Sequence, residues 1–273
     1  MYANPDSPPR SAVTVPQLHA RKQSGEKIVV VTAYDASFAL QVDAAGIDVV
    51  LVGDSLGNVV QGRTSTLPVT LEHMVYHTSI VARGLKHALL IADLPFMSYA
   101  DRGRAYDAAM RLCGEAQAQM VKLEGAGWAV DVIAALTERD VPVCAHLGLT
   151  PQSVNKFGGY RVQGRDETRA AQLLADAKAV AAAGADLLVL ECVPAALAER
   201  ITREIAIPTI GIGAGPACDG QVLVLYDLLG ISPGKRPRFS KDFLAGRDSI
   251  AAALSAYAHA VRSGEFPGPE HSY

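Results

Sequence analysis

Ala45-Gly46-Ile47-Asp48-Val49-Val50-Leu51-Val52-Gly53-Asp54-Ser55-Leu56-Gly57 is the stretch whose reading decides the fold. Gly46 stops a helical segment, Phe38 to Ala45, at the position where glycine commonly ends a helix. A short β-branched run follows without polar alternation, which is how a strand buried on both faces reads. The run then breaks into small and charged residues at Gly53-Asp54-Ser55. Helix end, buried strand and polar loop form one unit. The same device introduces later runs at Ala183-Gly184-Ala185-Asp186 and Ala206-Ile207-Pro208.

Working outward, the strand signature recurs at Ile28–Ala33, Asp48–Gly53, Ala88–Leu94, Gln119–Glu124, Val141–His146, Asp186–Glu191 and Ile207–Ile212. Gln221–Tyr226 is a weaker eighth candidate. Helical segments separate them: Leu71–Arg83, Ala105–Ala118, Ala129–Arg139, Glu167–Ala183 and Pro194–Glu204. A short helix, Val15–Ser24, precedes the first strand, with Thr14 as cap and Pro16 in its first turn. Eight strand–helix units in about 250 residues is the arithmetic of a (β/α)8 TIM barrel, class α/β. A doubly wound sheet also alternates strands and helices. It would carry a glycine-rich fingerprint after its first strand, and Thr32-Ala33-Tyr34-Asp35 has none. One barrel over 15–266 is expected, with a disordered lead at 1–14 and a tail at 267–273.

Composition narrows the function classes. Apolar residues are 49% of 273, ample for a large core, and the formal net charge is −3. Such a balance gives no reason to expect nucleic acid, and the basic cluster Lys235, Arg236 and Arg238 reads as a solvated turn. The four cysteines lack a CxxC pair or regular spacing, so they read as free thiols in a reducing compartment. The polar, Pro-rich start has no secretory core, and no run reaches the ~20 apolar residues of a membrane helix. A cytoplasmic protein acting on small molecules is expected.

In a barrel, chemistry sits at the C-terminal ends of the strands. Reading only those positions brings Asp54, Asp93 and Glu124 to one mouth from three successive strands. Hard oxygen donors with little His or Cys nearby favour Mg²⁺, although each acid alone would serve equally as a helix cap. Lys122 shares a strand face with Glu124 and must be paired if it is buried; anchoring an anionic substrate suits it better than a Schiff base, because the acids keep it protonated. Glu191 ends the run Leu187-Leu188-Val189-Leu190, where desolvation would suit it to a general base. His146 reads equally as a base, a substrate-orienting donor or a satisfied core group. Gly148 to Tyr160 is long and Gly-punctuated, like a lid, and Gly211-Ile212-Gly213-Ala214-Gly215 resembles a phosphate cradle.

These strand-end motifs, in this order, resemble the ketopantoate hydroxymethyltransferase family. The matching stretches are Thr32-Ala-Tyr-Asp35, Val52-Gly-Asp-Ser-Leu-Gly57, Ala92-Asp-Leu-Pro-Phe96, Val121-Lys-Leu-Glu-Gly125, His146-Leu-Gly-Leu-Thr-Pro-Gln152, Leu190-Glu-Cys-Val-Pro194 and Ile210-Gly-Ile-Gly-Ala-Gly215. The resemblance implies a barrel of the phosphoenolpyruvate mutase/isocitrate lyase group, assembled as a homodecamer. It implies Mg²⁺, 5,10-methylenetetrahydrofolate as one-carbon donor, and α-ketoisovalerate as acceptor through a Mg-stabilised enolate. By motif, Asp54, Asp93 and Glu124 match the metal acids. Asp54, Ser55, Asp93 and Lys122 match the keto-acid contacts, and Glu191 the proton acceptor. The rival readings are a carbon–carbon lyase or mutase of the same group, acting without folate, and a non-catalytic metal–keto acid sensor. An isolated base at an apolar strand end argues against the sensor.

Overall fold

The eight apolar runs pair in sequence order, and all in parallel, into a closed barrel. The computed structural model describes residues 10–159, 161–232, 234 and 236–273. The strands are β1 (Ile28–Thr32), β2 (Val49–Val52), β3 (Leu89–Asp93), β4 (Met120–Glu124), β5 (Val143–Gly148), β6 (Leu187–Glu191), β7 (Thr209–Ile212) and β8 (Gly220–Leu223). Seven match their expected positions to within two or three residues at either end. The eighth is shorter than the Gln221–Tyr226 run suggested. Its pairing with β1 ends at Leu223, and the Leu225 N–H is taken by the Thr32 hydroxyl, which starts a helical turn at Leu225–Leu228.

Continuous apolar strands follow from two separate burials. Ile28, Val30, Leu89, Ile91, Met120 and Val189 fill the inside of the barrel. Their neighbours Val29, Val31, Leu90, Val121 and Leu188 pack outward against the helices. Period-two geometry sends alternate residues to the two cores, so neither face can be polar.

Side-chain caps define several helix starts. Asp35 accepts from the Phe38 N–H, Asp166 from Arg169 and Asp101 from Arg104. The Asp101 cap starts that helix at Arg102, before the expected Ala105, and from Met110 to Glu115 it widens to a π-helix. A helix unanticipated from sequence, Ile250–Ser263, is capped by Ser249 and stopped by Gly264. Its Tyr257 hydroxyl lies against two strand carbonyls, Val30 and Gln221, at 2.8 and 3.0 Å.

The two ends of the barrel differ. At the N-terminal end, Val13 and Leu18 of the leading segment complete the interior core. Asp48, 1% exposed, meets Arg10, Arg21 and Arg262 there. Residues 267–273, read from sequence as a tail, lie against the barrel: His271 is buried and the Ala195 N–H donates to the Tyr273 carbonyl. Met1–Pro9 of the expected lead lie outside the described residues. The four cysteines are free, and among the described residues no helix is long and apolar enough to cross a membrane.

Candidate active site

The alternation that fills the barrel with aliphatics also sets its polar top layer. Asp93 follows Leu89 and Ile91 on the interior face of β3, as Lys122 and Glu124 follow Met120 on β4. His146 follows Cys144 on β5, and Glu191 follows Leu187 and Val189 on β6. The register places Asp93 beside Lys122, Glu124 beside His146 and Glu191 beside Gly148. Gly148 must be glycine: its φ is +92°, and a Cβ would strike the Glu191 carbonyl.

Lys122 Nζ lies 2.7 Å from Asp93 Oδ1, an ion pair by distance whose angles leave Oδ1 without an aligned hydrogen bond. Asp93 Oδ2 accepts from the Asp54 N–H at 2.9 Å, locking the β2 and β3 loops together. Asp54, Asp93 and Glu124 are all buried, so three carboxyl groups share one ammonium. Burial, then the charges of Asp93 and Glu124, hold the Asp54 carboxyl well above its ordinary range. Burial likewise pushes Glu124 up to about 7, against the lowering pull of Lys122. Lys122 is held firmly protonated, its desolvation outweighed by the three acids.

His146 connects this cluster to Glu191. Its Nδ1 is 3.3 Å from Lys122 Nζ, and its Nε2 is 3.3 Å from Glu191 Oε2. Burial, then the Lys122 charge, lowers the imidazole pKa, so the neutral ring dominates. With Lys122 donating to Nδ1, the remaining proton belongs on Nε2, on the side of Glu191; ring and carboxylate are not yet aligned for a full hydrogen bond. Ser55 packs above, its hydroxyl 2.8 Å from that of Tyr34.

A cavity of about 1670 Å³ opens over this layer, lined by Ser55, Glu124 and Glu191 among others. Asp54, Asp93, Lys122 and His146 lie buried beneath its floor. Two neutral residues that sequence reasoning did not single out stand between. Gln152 donates from Nε2 to Asp54 Oδ2 at 2.8 Å, from its backbone to Glu124 Oε2 at 3.0 Å, and accepts from the Tyr99 hydroxyl at 2.6 Å. No spacing or charge marks either residue; Gln152 occurs in the sequence only as the end of a strand-five motif. Its segment folds as short turns, Pro151–Ser153 and Val154–Phe157, along the cavity wall. Tyr160, in the expected lid, lies outside the described residues.

Gly211–Gly215 is not an open phosphate cradle. All five residues are buried, and Cβ atoms at Gly213 and Gly215 would press on Tyr273, Phe239 and Ala195. These glycines let the C-terminal segment pass close. Arg236 and Arg238, read as part of a solvated turn, instead line the cavity; Lys235 lies outside the described residues.

The donor set suits a hard divalent cation. Three buried carboxyl groups share one ammonium, so ionising all of them calls for a further cation, and Asp93 Oδ1 and Glu124 Oε1 are buried acceptors without aligned donors. Among the described residues, no three His, Cys, Asp or Glu side chains are placed to hold a metal ion together. Mg²⁺ does not need three, because it is usually held by one or two carboxylates with water and substrate completing the shell.

A sequence model of ketopantoate hydroxymethyltransferase matches residues 12–269. The chain belongs to that family. Within the ketopantoate hydroxymethyltransferases, the 3-methyl-2-oxobutanoate hydroxymethyltransferase of Burkholderia thailandensis is 60% identical over 97% of both chains. Solved structures share the barrel at far lower identity. A phosphoenolpyruvate phosphomutase from Streptomyces platensis subsp. rosaceus superposes with TM-score 0.61 at 15% identity, covering 79% of this chain and 82% of its own. A 2,3-dimethylmalate lyase of the PEP mutase/isocitrate lyase superfamily gives 0.53 at 17%, over 72% and 70%. Phosphonopyruvate hydrolase in complex with oxalate and Mg²⁺ gives 0.60 at 14%, over 95% and 93%. The fold is therefore a closed parallel barrel like theirs, carrying a ketopantoate hydroxymethyltransferase sequence.

Proposed function

We propose that this enzyme transfers a hydroxymethyl group from 5,10-methylenetetrahydrofolate to C3 of 3-methyl-2-oxobutanoate (α-ketoisovalerate), yielding ketopantoate for pantothenate synthesis. The observation that carries this reading is the arrangement at the mouth: a carboxylate backed by a neutral imidazole stands beside three buried carboxyl groups that share a single ammonium. Asp54, Asp93 and Glu124 would hold Mg²⁺, and Ser55 and Lys122 would receive the keto acid's anionic end. When bound, Mg²⁺ supplies Lewis acidity toward the substrate's carbonyl oxygen.

Glu191 reaches the cavity and accepts the C3 proton on a carboxylate oxygen. His146 stands below it with Nε2 3.3 Å from Oε2, and burial together with the Lys122 charge keeps that imidazole neutral so that it does not compete for the proton. The donor's methylene carbon parts from one of its two nitrogens as a ring-opened iminium, the C3 carbanion forms a bond to it, and its bond to the second nitrogen then breaks as water attacks; the two nitrogens take up the C3 proton from Glu191 and one proton of that water. Water supplies the hydroxyl oxygen, leaving tetrahydrofolate. The proposed setting is the cytoplasm and the proposed assembly a homodecamer, both resting on the family likeness.

The test is proton exchange without folate. Protein, α-ketoisovalerate and Mg²⁺ in D₂O should lose the C3 proton signal by NMR, and Glu191→Gln should bind the acid yet exchange it at least about a hundredfold more slowly. No exchange by folded, Mg²⁺-loaded wild type would end the keto-acid reading. Unchanged exchange in Glu191→Gln would move the base elsewhere.

A further inference from the structure

The cavity is far larger than a five-carbon keto acid needs, and its charge is divided by depth. Ionisable side chains reaching its floor are acids, Glu124 and Glu191. The outer wall carries Lys156, Arg161, Arg165, Arg169, Arg236 and Arg238. All six are exposed, in a chain whose net charge is −3. Arg169 and Arg236 have carboxylate partners, 3.5 Å from Asp166 and 3.1 Å from Asp242, and Arg238 donates to the Glu270 carbonyl. Lys156, Arg161 and Arg165 pair with no carboxylate among the described residues. Two further acids line the cavity, and both are engaged: Asp176 accepts from Gln172, and Asp227 is buried against Ser232.

A third feature is aromatic. Trp128 is 59% exposed and stacks on Tyr99 with ring centroids 5.7 Å apart. Phe96 and Met97, about half exposed, line the same space. An exposed tryptophan and unpaired guanidinium groups lining one cavity suit a ligand with a flat ring system at one end and several carboxylates at the other.

We infer that the outer rim binds a γ-linked polyglutamate chain on the one-carbon donor, with Arg161 and Arg165 as its principal contacts and Trp128 against the donor's rings. This rests on the folate reading of the proposed function. The chemistry fits because each added glutamate brings one carboxylate, and exposed guanidinium groups are the side chains best suited to successive carboxylates without a buried pocket. The cationic side chains lie on the exposed outer wall, which orients the donor with its rings inward and its tail outward.

Trp128 is the chain's one tryptophan, so fluorescence reports this wall directly. Quenching titrations with tetrahydropteroyl-monoglutamate and -pentaglutamate should give a Kd about tenfold lower for the longer form, as expected for a few exposed charge contacts. The advantage should shrink in high salt. Arg161→Ala/Arg165→Ala should reduce it to about twofold or less, whereas Arg83→Ala, an exposed change outside the cavity, should leave it intact. Equal affinity for both lengths, or an advantage untouched by the double substitution, would overturn the rim. Wild type that binds neither length, while still exchanging the keto acid's C3 proton, would instead overturn the folate donor and with it this inference.

Discussion

Glu124 makes a sharp prediction of its own because its environment works against its charge. Burial holds its carboxyl up at about 7, above the ordinary 4.5. A raised carboxyl contributes its stability below the unfolded pKa and loses it as pH climbs through the folded pKa. The metal-free protein should therefore weaken from about pH 4.5 to about pH 7, and Asp54 pushes in the same direction. Mg²⁺ held by the proposed carboxylates would bind their ionised form and displace a proton at the lower end. Saturating Mg²⁺ should then raise Tm more at about pH 8 than at about pH 6, read by thermal unfolding with and without chelator. An equal shift at both values, or a larger one at the acid end, would remove Glu124 and Asp54 from the metal site. These acids were legible in the sequence because strand period and strand ends alone place them. Gln152 and Tyr99, which bridge them, are neutral and lie 53 residues apart, and no local pattern announces a contact at that range.

At the scale of elements, the turn after β5 ties the loop to Glu191, the proposed base. Gly148 sits opposite Glu191 in the register, and the Leu149 N–H donates to the Glu191 carbonyl at 2.8 Å. Gly148→Ala would place a methyl group on that carbonyl while holding φ at +92°. The two strand ends must then separate, carrying Glu191 away from His146 and the Gln152 turn away from Glu124. Misplacement of this order costs about a hundredfold in rate, with about 1–3 kcal/mol of stability for the strained backbone. C3 exchange and thermal unfolding measure both, and a variant exchanging at the wild-type rate would show that the turn does not position the base. The strands were readable because a buried run needs only composition. The helix at Ile250–Ser263 carried its signals too, in Ser249 and Gly264, but no strand follows it to complete a repeating unit. The end of β8 depended on a hydroxyl contributed from Thr32, 193 residues away, which local sequence cannot convey.

Across the whole molecule, the barrel separates stability from chemistry by its two ends. The acid and imidazole layer occupies the C-terminal mouth. At the other end Asp48 gathers arginines from the two ends of the described chain: Arg10 just before the first helix and Arg21 within it, and Arg262 in the last long helix. Asp48 also accepts from the Val29 N–H at 2.9 Å, so one carboxylate fastens both ends of the described chain to the first two strands. Asp48→Asn keeps the shape but removes the charge, leaving three guanidinium groups facing one another around a neutral amide. Breaking a buried pair costs about 3–5 kcal/mol, and the partial exposure of these arginines argues for the lower figure. For a domain of this size about 3 kcal/mol lowers Tm by roughly 6–12 °C. Because the site lies at the opposite end of the strands, kcat well below the transition should stay within about twofold of wild type. Thermal unfolding and initial rates on the same preparation decide it. An unchanged Tm would mean that the arginine cluster does not hold the barrel closed, and a lost kcat with Tm intact would mean that the two ends are coupled.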